Sequence, residues 1–268
     1  MANVGFIEQS NGTKLPRLGL GTWLASDHEE LKQALRHALD AGYRYIGSWK
    51  NTAAAYGNEA AIGDVLQEYY DSGKLKREDV FIATKLPFYA HEPSVAEEVL
   101  ARSLKNLRTD HFDLYLMHTP LPFKPKADHT GPELNSEGKF IPIDVPLIDT
   151  WRVLEKHFKN GTLKSIGVSN FNADQLKDLY EKAEVKPHNL QIELHVLHPQ
   201  KDMLDLCKQL KISVTSYSTL GSPGRGKSPI SQYVEGDCLN HAIVQEIAKK
   251  HYRTPAQILL RHTIQQVY

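Results

Sequence analysis

Phe112-Asp113-Leu114-Tyr115-Leu116-Met117-His118, at residues 112–118, is a short and largely apolar run that ends in a histidine. Six further runs of four to six residues resemble it, and runs of this length are typical of strands. They lie at residues 17–21, 43–46, 80–84, 163–168, 190–193 and 212–217. The sequence therefore predicts seven strands.

Amphipathic helical patterns separate these runs. Ser26-Asp27-His28-Glu29 is typical of a capping box that begins a helix. Asn172 caps another helix, and Thr254-Pro255 begins the last one. Other helices are predicted near 59–70, 94–107, 148–158 and 203–210. Alternating strands and helices favour a parallel sheet with crossover helices.

Two architectures fit this alternation, a β/α barrel and a doubly wound nucleotide-binding sheet. The second needs Gly-x-Gly-x-x-Gly after an early strand. Residues 19–24 lack the third glycine, and residues 221–226 come late and contain a proline. Two long segments, 119–145 and 218–236, follow predicted strands, where a barrel carries its active-site loops. We therefore expect an α/β fold of the barrel type.

Composition narrows the class of protein. The 268 residues include 32 Lys+Arg and 32 Asp+Glu, so the zero formal charge gives no electrostatic case for a nucleic acid or an acidic membrane surface. No apolar run approaches a membrane span, no secretory signal is visible, and two cysteines cannot form a disulfide framework. We expect one cytoplasmic domain over residues 1–268, without a metal site or a membrane partner.

Three side chains suit carbonyl reduction. Lys85 and His118 close adjacent predicted strands, and Tyr56 follows an earlier one. A tyrosine can donate a proton to a carbonyl oxygen, an ammonium group nearby lowers the tyrosine pKa, and a histidine can orient the carbonyl. Taken singly, Lys85 and His118 could be solvated strand ends and Tyr56 a packing residue.

Polar and aromatic residues on the later strands suit a nicotinamide. Ser169, Asn170 and Gln191 can bond a carboxamide, and the ring of Tyr217 can stack on a pyridine. The segment 218–223 offers hydroxyl and main-chain N–H groups for a pyrophosphate. Alternatively, Ser169 and Asn170 only cap the next helix and residues 221–223 only turn the chain.

The sequence resembles the aldo-keto reductase family from Lys14 to about Gln265. Seven segments match the family pattern in order: Leu18-Gly19-Leu20-Gly21-Thr22-Trp23, Ala41-Gly42-Tyr43-Arg44, Tyr56-Gly57-Asn58-Glu59, Thr84-Lys85-Leu86, residues 113–118, Ile166-Gly167-Val168-Ser169-Asn170-Phe171 and residues 217–223. The separations of Tyr56, Lys85 and His118 also fit the family.

This resemblance implies a (β/α)₈ TIM barrel that binds NADPH/NADP and reduces a small-molecule aldehyde or ketone, and we expect a monomer. It implies that Tyr56 is the proton donor, that Lys85 lowers its pKa and that His118 orients the substrate. The residues expected to contact the cofactor are Thr22, Ser169, Asn170, Gln191, Tyr217, Ser218, Leu220 and Ser222. Those expected to contact the substrate are Trp23, His118 and Phe123.

The sequence departs from the family pattern before Tyr56. Residues 47–51 stand where the family carries one catalytic aspartate, and Asn51 occupies the place five residues before Tyr56. An asparagine cannot supply the carboxylate that pairs with the lysine, so we expect weakened turnover. The alternative is a weak or inactive barrel that acts as a binding or regulatory protein. A Schiff-base aldolase using Lys85 is a third possibility.

Two further positions and the end of the sequence differ from the family pattern. Thr119 stands where many members carry tryptophan, which alters the shape of the pocket, and Gly224 replaces an aspartate that helps close a loop over the cofactor. The sequence ends at Tyr268, before the position of the family's eighth strand and C-terminal helix. We therefore expect a barrel that is incomplete there, and we assign no ligand for the 2′-phosphate.

Overall fold

The computed structural model describes residues 5–23, 25–47, 58–223 and 237–267. The chain divides into two compact units, Met1–Asn189 and Leu190–Tyr268. The predicted single domain stays a prediction.

Unit 1 begins with a hairpin that the strand pattern did not predict. Strand β1 (Phe6–Glu8) pairs antiparallel with β2 (Lys14–Pro16). Leu15 packs in a core cluster, whereas the side chain of Gln9 is buried among polar groups.

The sheet of unit 1 is parallel and follows the chain order. Leu20 pairs with Ile46, Ile46 with Ile82, and Lys85 with Leu116. Its strands are β3 (Gly19–Gly21), β4 (Tyr45–Gly47), β5 (Phe81–Leu86), β6 (Leu114–Met117) and β7 (Ile166–Ser169). Each of these strands overlaps a predicted run, and β4, β5 and β7 extend one or two residues beyond it. The following strand, β8 (Asn189–Glu193), begins at the last residue of the unit.

Helices alternate with these strands as predicted. They are α1 (His28–Asp40), α2 (Glu59–Asp71), α3 (Pro93–Asn106), α4 (Leu147–Lys159) and α5 (Ala173–Lys182), with a 3₁₀ turn at Arg77–Asp79. The predicted cap of α5 is confirmed, since the side chain of Asn172 accepts the Gln175 N–H at 2.9 Å.

The capping box predicted at Ser26 is wrong by one residue. The carboxylate of Asp27 accepts the N–H groups of Glu29 and Glu30 at 2.9 and 3.0 Å, so Asp27 is the cap of α1. Both residues can cap a helix, and the first turn carries Glu29 and Glu30 whichever of them does so. The local pattern therefore could not separate the two registers.

Gly167 allows β7 to pass close to its neighbours. A Cβ atom at this position would lie 2.2 Å from the Asn189 carbonyl oxygen and 2.8 Å from the side chain of Leu116. Since real side chains do not approach so closely, only glycine fits. Ser169, two residues further on, is the last residue of this buried strand.

Unit 2 holds the rest of β8 and then α6 (Lys201–Gln209), β9 (Ser213–Tyr217), α7 (Ala242–Lys250) and α8 (Pro255–Val267). The capping box predicted for α8 is confirmed, because the Gln257 N–H donates to Thr254 Oγ1 and the Thr254 N–H donates to Gln257 Oε1. Helix α7 was not predicted. In the part of the chain that the structure describes, no helix is both long and apolar enough to cross a membrane.

Candidate active site

Lys85 and His118 lie at the same end of neighbouring strands. Lys85 is the fifth residue of β5, and His118 directly follows β6. The His118 N–H donates to the Leu86 carbonyl oxygen at 3.1 Å, which extends the ladder between these strands by one residue. Both side chains are buried, with 6% and 7% of each residue exposed. The fold therefore brings the predicted lysine and histidine to the carboxyl ends of adjacent parallel strands.

Burial controls the charge of both side chains. It lowers the pKa of Lys85 to about 8, so about nine-tenths of the ammonium stays protonated at pH 7. Burial, followed by the positive charges of Lys85 and His91, lowers the pKa of His118 to about 3. His118 is therefore a neutral imidazole at pH 7, and one of its ring nitrogens can donate a hydrogen bond.

Ser169 and Asn170 lie next to His118. The side-chain amide of Asn170 donates to the His118 carbonyl oxygen at 2.8 Å, and its nitrogen lies 3.2 Å from Ser169 Oγ. Asn170 has a φ of +62°, a left-handed conformation that asparagine tolerates better than most residues. The predicted substrate and carboxamide residues are thus joined in unit 1 by one side chain.

Thr22 lies in a buried network at the ends of β3 and β4. Its N–H and its hydroxyl both donate to the Gly47 carbonyl oxygen, at 3.3 and 3.2 Å. The side-chain amide of Asn58 donates to the Thr22 carbonyl oxygen at 2.9 Å. Trp23, a predicted substrate contact, follows and is half-buried.

Asn51 and Tyr56 lie outside the described residues, as does Gly224. The described residues on either side of segment 48–57 are Gly47 and Asn58, and both are hydrogen-bonded to Thr22. Thr22 therefore anchors the chain where it enters the segment and where it leaves it.

Glu59 is a buried carboxylate that the sequence patterns did not single out. It is 1% exposed, accepts the Thr84 hydroxyl at 3.0 Å and lies 3.4 Å from the amide of Asn106. Successive strand residues point to opposite faces, so Thr84 directs Glu59 to the face opposite Lys85. Glu59 therefore anchors α2 on the sheet and does not replace the family's aspartate.

His91 is a second residue that the sequence analysis missed. It is fully buried, its carbonyl oxygen accepts the Thr150 hydroxyl at 2.6 Å, and burial lowers its pKa to about 4. In its protonated form, His91 also lowers the pKa of His118. The signal available was the unbroken apolar loop Leu86-Pro87-Phe88-Tyr89-Ala90 that leads to it, because such a loop cannot face water.

The loop after β6 packs on aromatic rings. The Phe123 N–H donates to the Phe88 carbonyl oxygen at 3.0 Å, and its ring centroid lies 5.3 Å from that of Phe88 and 5.5 Å from that of Phe140. Thr119, where many family members carry tryptophan, is half-buried. This cluster gives the start of the loop a defined shape.

Unit 2 carries the remaining candidates for cofactor contact. Gln191 is buried on β8, and Tyr217 ends β9. The turn that follows has positive φ at Ser218 and Ser222, conformations that usually persist only where the surroundings require them. Leu220 packs its side chain on a cluster of Cys238, Val244 and Leu259, so its main chain is the part that can contact a ligand.

No group of three His, Cys, Asp or Glu side chains is arranged to hold a metal ion within residues 5–23, 25–47, 58–223 and 237–267.

A comparison with protein-family models matches residues 17–267 to the aldo/keto reductase family. The chain belongs to the aldo/keto reductase family. Family membership supports an oxidoreductase that acts on small-molecule carbonyl substrates, in a family that generally uses NAD(P)H.

Curated aldo/keto reductases are similar over nearly all of this chain. Aldo-keto reductase family 1 member A1 of Gallus gallus is 39% identical over 267 residues, which are 99% of this chain and 78% of that protein. The human member A1 is 37% identical and covers 95% of this chain and 76% of its own length. Aldo-keto reductase family 4 member C11 of Arabidopsis thaliana is 37% identical, with coverage of 98% and 78%.

A solved structure shows the same fold. The aldose reductase from Schistosoma japonicum has a TM-score of 0.86 at 37% sequence identity, covering 97% of this chain and 79% of its own. The predicted fold class, the aldo/keto reductase type of β/α barrel, is confirmed by this match.

Proposed function

We propose that this aldo/keto reductase is an NADP-dependent oxidoreductase that reduces aldehydes or ketones to alcohols, with Tyr56 as proton donor assisted by Lys85 and His118. The observation that carries the proposal is the pair of buried side chains, Lys85 and His118, at the carboxyl ends of neighbouring strands. This is the end at which β/α barrels carry their active sites.

Each residue of the pair has a separate task. The buried ammonium of Lys85 favours the phenolate form of a nearby tyrosine and so makes that tyrosine a better acid near neutral pH. The neutral imidazole of His118 donates a hydrogen bond to the carbonyl oxygen and orients it.

The residues expected to hold the cofactor fit its chemistry. In unit 1, the hydroxyl of Ser169 and the amide of Asn170 suit a carboxamide, and Thr22 directly follows β3. In unit 2, Gln191 and Tyr217 suit the nicotinamide. Ser218, Leu220 and Ser222 suit the pyrophosphate. A bound reduced nicotinamide supplies the hydride for carbonyl reduction.

Oxidation of NADPH with a panel of aldehydes and ketones tests this proposal. We expect turnover with at least one substrate and a rise in Tm when NADPH is added, because a ligand that binds only the folded state stabilises it. A rise in Tm without turnover would favour the binding or regulatory protein. The absence of both turnover and a rise in Tm would contradict both functions. Borohydride trapping of a carbonyl substrate on Lys85 would instead favour the aldolase.

The substitution at the aspartate position has its own test. Replacing residues 47–51 by one aspartate restores the family's length and carboxylate, and we expect kcat/KM to rise about 10-fold, in line with stronger support of the acid. The same deletion with asparagine in place of aspartate separates the charge from the length. Unchanged kcat/KM in the aspartate variant would show that the altered segment does not weaken turnover.

The monomeric state, the cytoplasmic location and the preference for NADP over NAD stay predictions. Size-exclusion chromatography with light scattering tests the first, and kcat/KM measured with each cofactor tests the last.

A further inference from the structure

The main chain of His118 is held from two sides. Its N–H donates to Leu86 on one neighbouring strand, at 3.1 Å, and its carbonyl oxygen accepts the amide of Asn170 beyond the other, at 2.8 Å. The last ladder pair between β6 and β7 is Met117 with Val168. The Asn170 side chain therefore provides a hydrogen bond to the main chain one residue beyond the last main-chain pair.

The backbone at Asn170 is adapted to this bond. Its φ of +62° is left-handed, and such a conformation persists where surrounding contacts require it. Asparagine is among the few side chains that tolerate it and also carry an N–H donor. Aspartate and glycine also tolerate the conformation, but their side chains cannot donate.

Helix capping does not explain Asn170. The cap of α5 is Asn172, whose side chain accepts the Gln175 N–H at 2.9 Å while the Gln175 side chain accepts the Asn172 N–H at 3.0 Å. That capping box leaves no capping role for Asn170. The alternative in which residues 169 and 170 only cap the next helix is therefore wrong for Asn170.

We propose that Asn170 is a positioning residue for His118: its amide holds the carbonyl of His118 and thereby fixes the imidazole relative to Lys85. The inference rests on the proposed function only for the role of His118 in carbonyl reduction. The same amide contacts Ser169, so the residue also connects the substrate-orienting histidine with the predicted carboxamide site.

The first test uses the cofactor-free protein. The ring proton signals of His118, assigned with His118→Asn, are recorded by NMR in Asn170→Asp and Asn170→Gly. Both variants accept the left-handed backbone and lack the donor, so we expect both to shift or broaden these signals. Asn172→Asp, which keeps the cap of α5 two residues away, is the matched control and leaves them unchanged.

The outcomes of this test are distinct. Shifts in both variants support the inference. Unchanged signals in both overturn it, and so does a shift in Asn170→Asp alone, because that result shows an effect of the new charge and not of the lost donor. Far-UV circular dichroism and Tm establish that both variants are folded.

The second test measures turnover at saturating NADPH. A misplaced catalytic group costs about 10-fold to 100-fold in rate, so we expect kcat/KM for the carbonyl substrate to fall by that amount in both Asn170 variants. The Asn172→Asp control stays within about two-fold of the wild type. An unchanged kcat/KM in both variants would overturn the positioning role.

The two tests keep the inference separate from the proposed function. If the wild type reduces no carbonyl, the proposed function fails while the NMR comparison still decides the placement of His118. If the wild type is active and the His118 signals do not respond, the inference fails and the function stands.

Discussion

Unit 1 buries a histidine at each end of its strands, and the two are held differently. His118 follows β6 at the carboxyl ends, where its main-chain N–H and carbonyl groups bind Leu86 and Asn170. His188 precedes β8 at the amino end of β7, where its ring Nδ1 accepts the Ile166 N–H at 3.1 Å. Both residues are at least 93% buried, and burial lowers the pKa of each.

The surroundings of His188 complete a closed structural network. Ser165 donates its hydroxyl to Gln9 at 2.7 Å, the Gln9 amide lies 3.5 Å from the His188 carbonyl oxygen, and the ring of Phe158 lies 5.0 Å from the imidazole. At this end, the imidazole of His188 accepts a main-chain N–H in place of a main-chain carbonyl oxygen. At the other end, main-chain bonds hold His118 in place and its neighbour is the buried cation Lys85.

This difference indicates that the two ends of the strands in unit 1 have different roles. In β/α barrels the amino ends of the strands serve stability and the carboxyl ends carry catalysis. We therefore expect changes at the His188 end to lower the free energy of unfolding, and changes at the His118 end to lower turnover.

The largest effect is expected from Lys85→Met. This change keeps the length of the side chain and removes the charge that supports the acid, so kcat/KM should fall by about 100-fold or more. Steady-state NADPH oxidation measures it, with the exposed Lys164→Met as the matched control. Activity within a few-fold of the wild type would remove Lys85 from the proposed mechanism.

His188→Ala should lower the stability and leave the turnover unchanged. The buried Ile166 N–H loses its acceptor and a cavity opens beside Phe158, at a cost of about 3 kcal/mol in the free energy of unfolding. Chemical denaturation measures the loss, and kcat/KM of the folded protein should stay unchanged. His188→Asn offers an acceptor again and should recover part of the stability. A loss of turnover without a loss of stability would contradict the comparison.

Acid should destabilise both ends. The pKa is lowered to about 4 for His91 and His188 and to about 3 for His118, against an ordinary value near 6.5. Between the lowered pKa of each histidine and the ordinary value near 6.5, the unfolded state binds more protons than the folded state. The free energy of unfolding therefore falls as the pH falls through this range. The loss at pH 5 is at most about 2 kcal/mol per histidine. Denaturation at pH 7 and pH 5 measures it, and His188→Asn should reduce the difference. A free energy of unfolding that rises toward pH 5 would contradict these pKa shifts.

Gln9→Ala is expected to have the smallest effect. The Ser165 hydroxyl loses its buried acceptor, which costs about 1–2 kcal/mol of stability. The Tm measures this change, and Ser10→Ala, at an exposed position of the same turn, is the control. A reduced kcat/KM in the folded Gln9→Ala protein would show that the two ends of the unit are coupled.

Local sequence patterns predicted most of the architecture. The strand at 112–117 and the capping box at Asn172 follow from apolar run length and side-chain chemistry, which need only neighbouring residues. The same local reasoning failed at Ser26, because Asp27 offers an equivalent cap. It also missed strands β1 and β2, each of which includes a charged residue among its three.

The sequence likewise indicated some residues of the candidate site and missed others. The ordered segments of the resemblance suggested Lys85, His118 and Asn170 from their places at strand ends. One of these segments contains Glu59 but gave it no role, and none contains His91, because residue type and position in the chain do not separate a buried anchor from an exposed strand end. Burial supplied that distinction.

The sequence by itself determined the order of strands and helices, the family and the residue types available at the strand ends, since these depend on periodicity and on motifs read along the chain. Only the tertiary structure decided which of these residues touch. The amide of Asn170 reaches the carbonyl of His118 across 52 residues of chain, and burial sets the charges of Lys85 and His118. Both effects depend on the packing of neighbouring strands, which no local pattern contains.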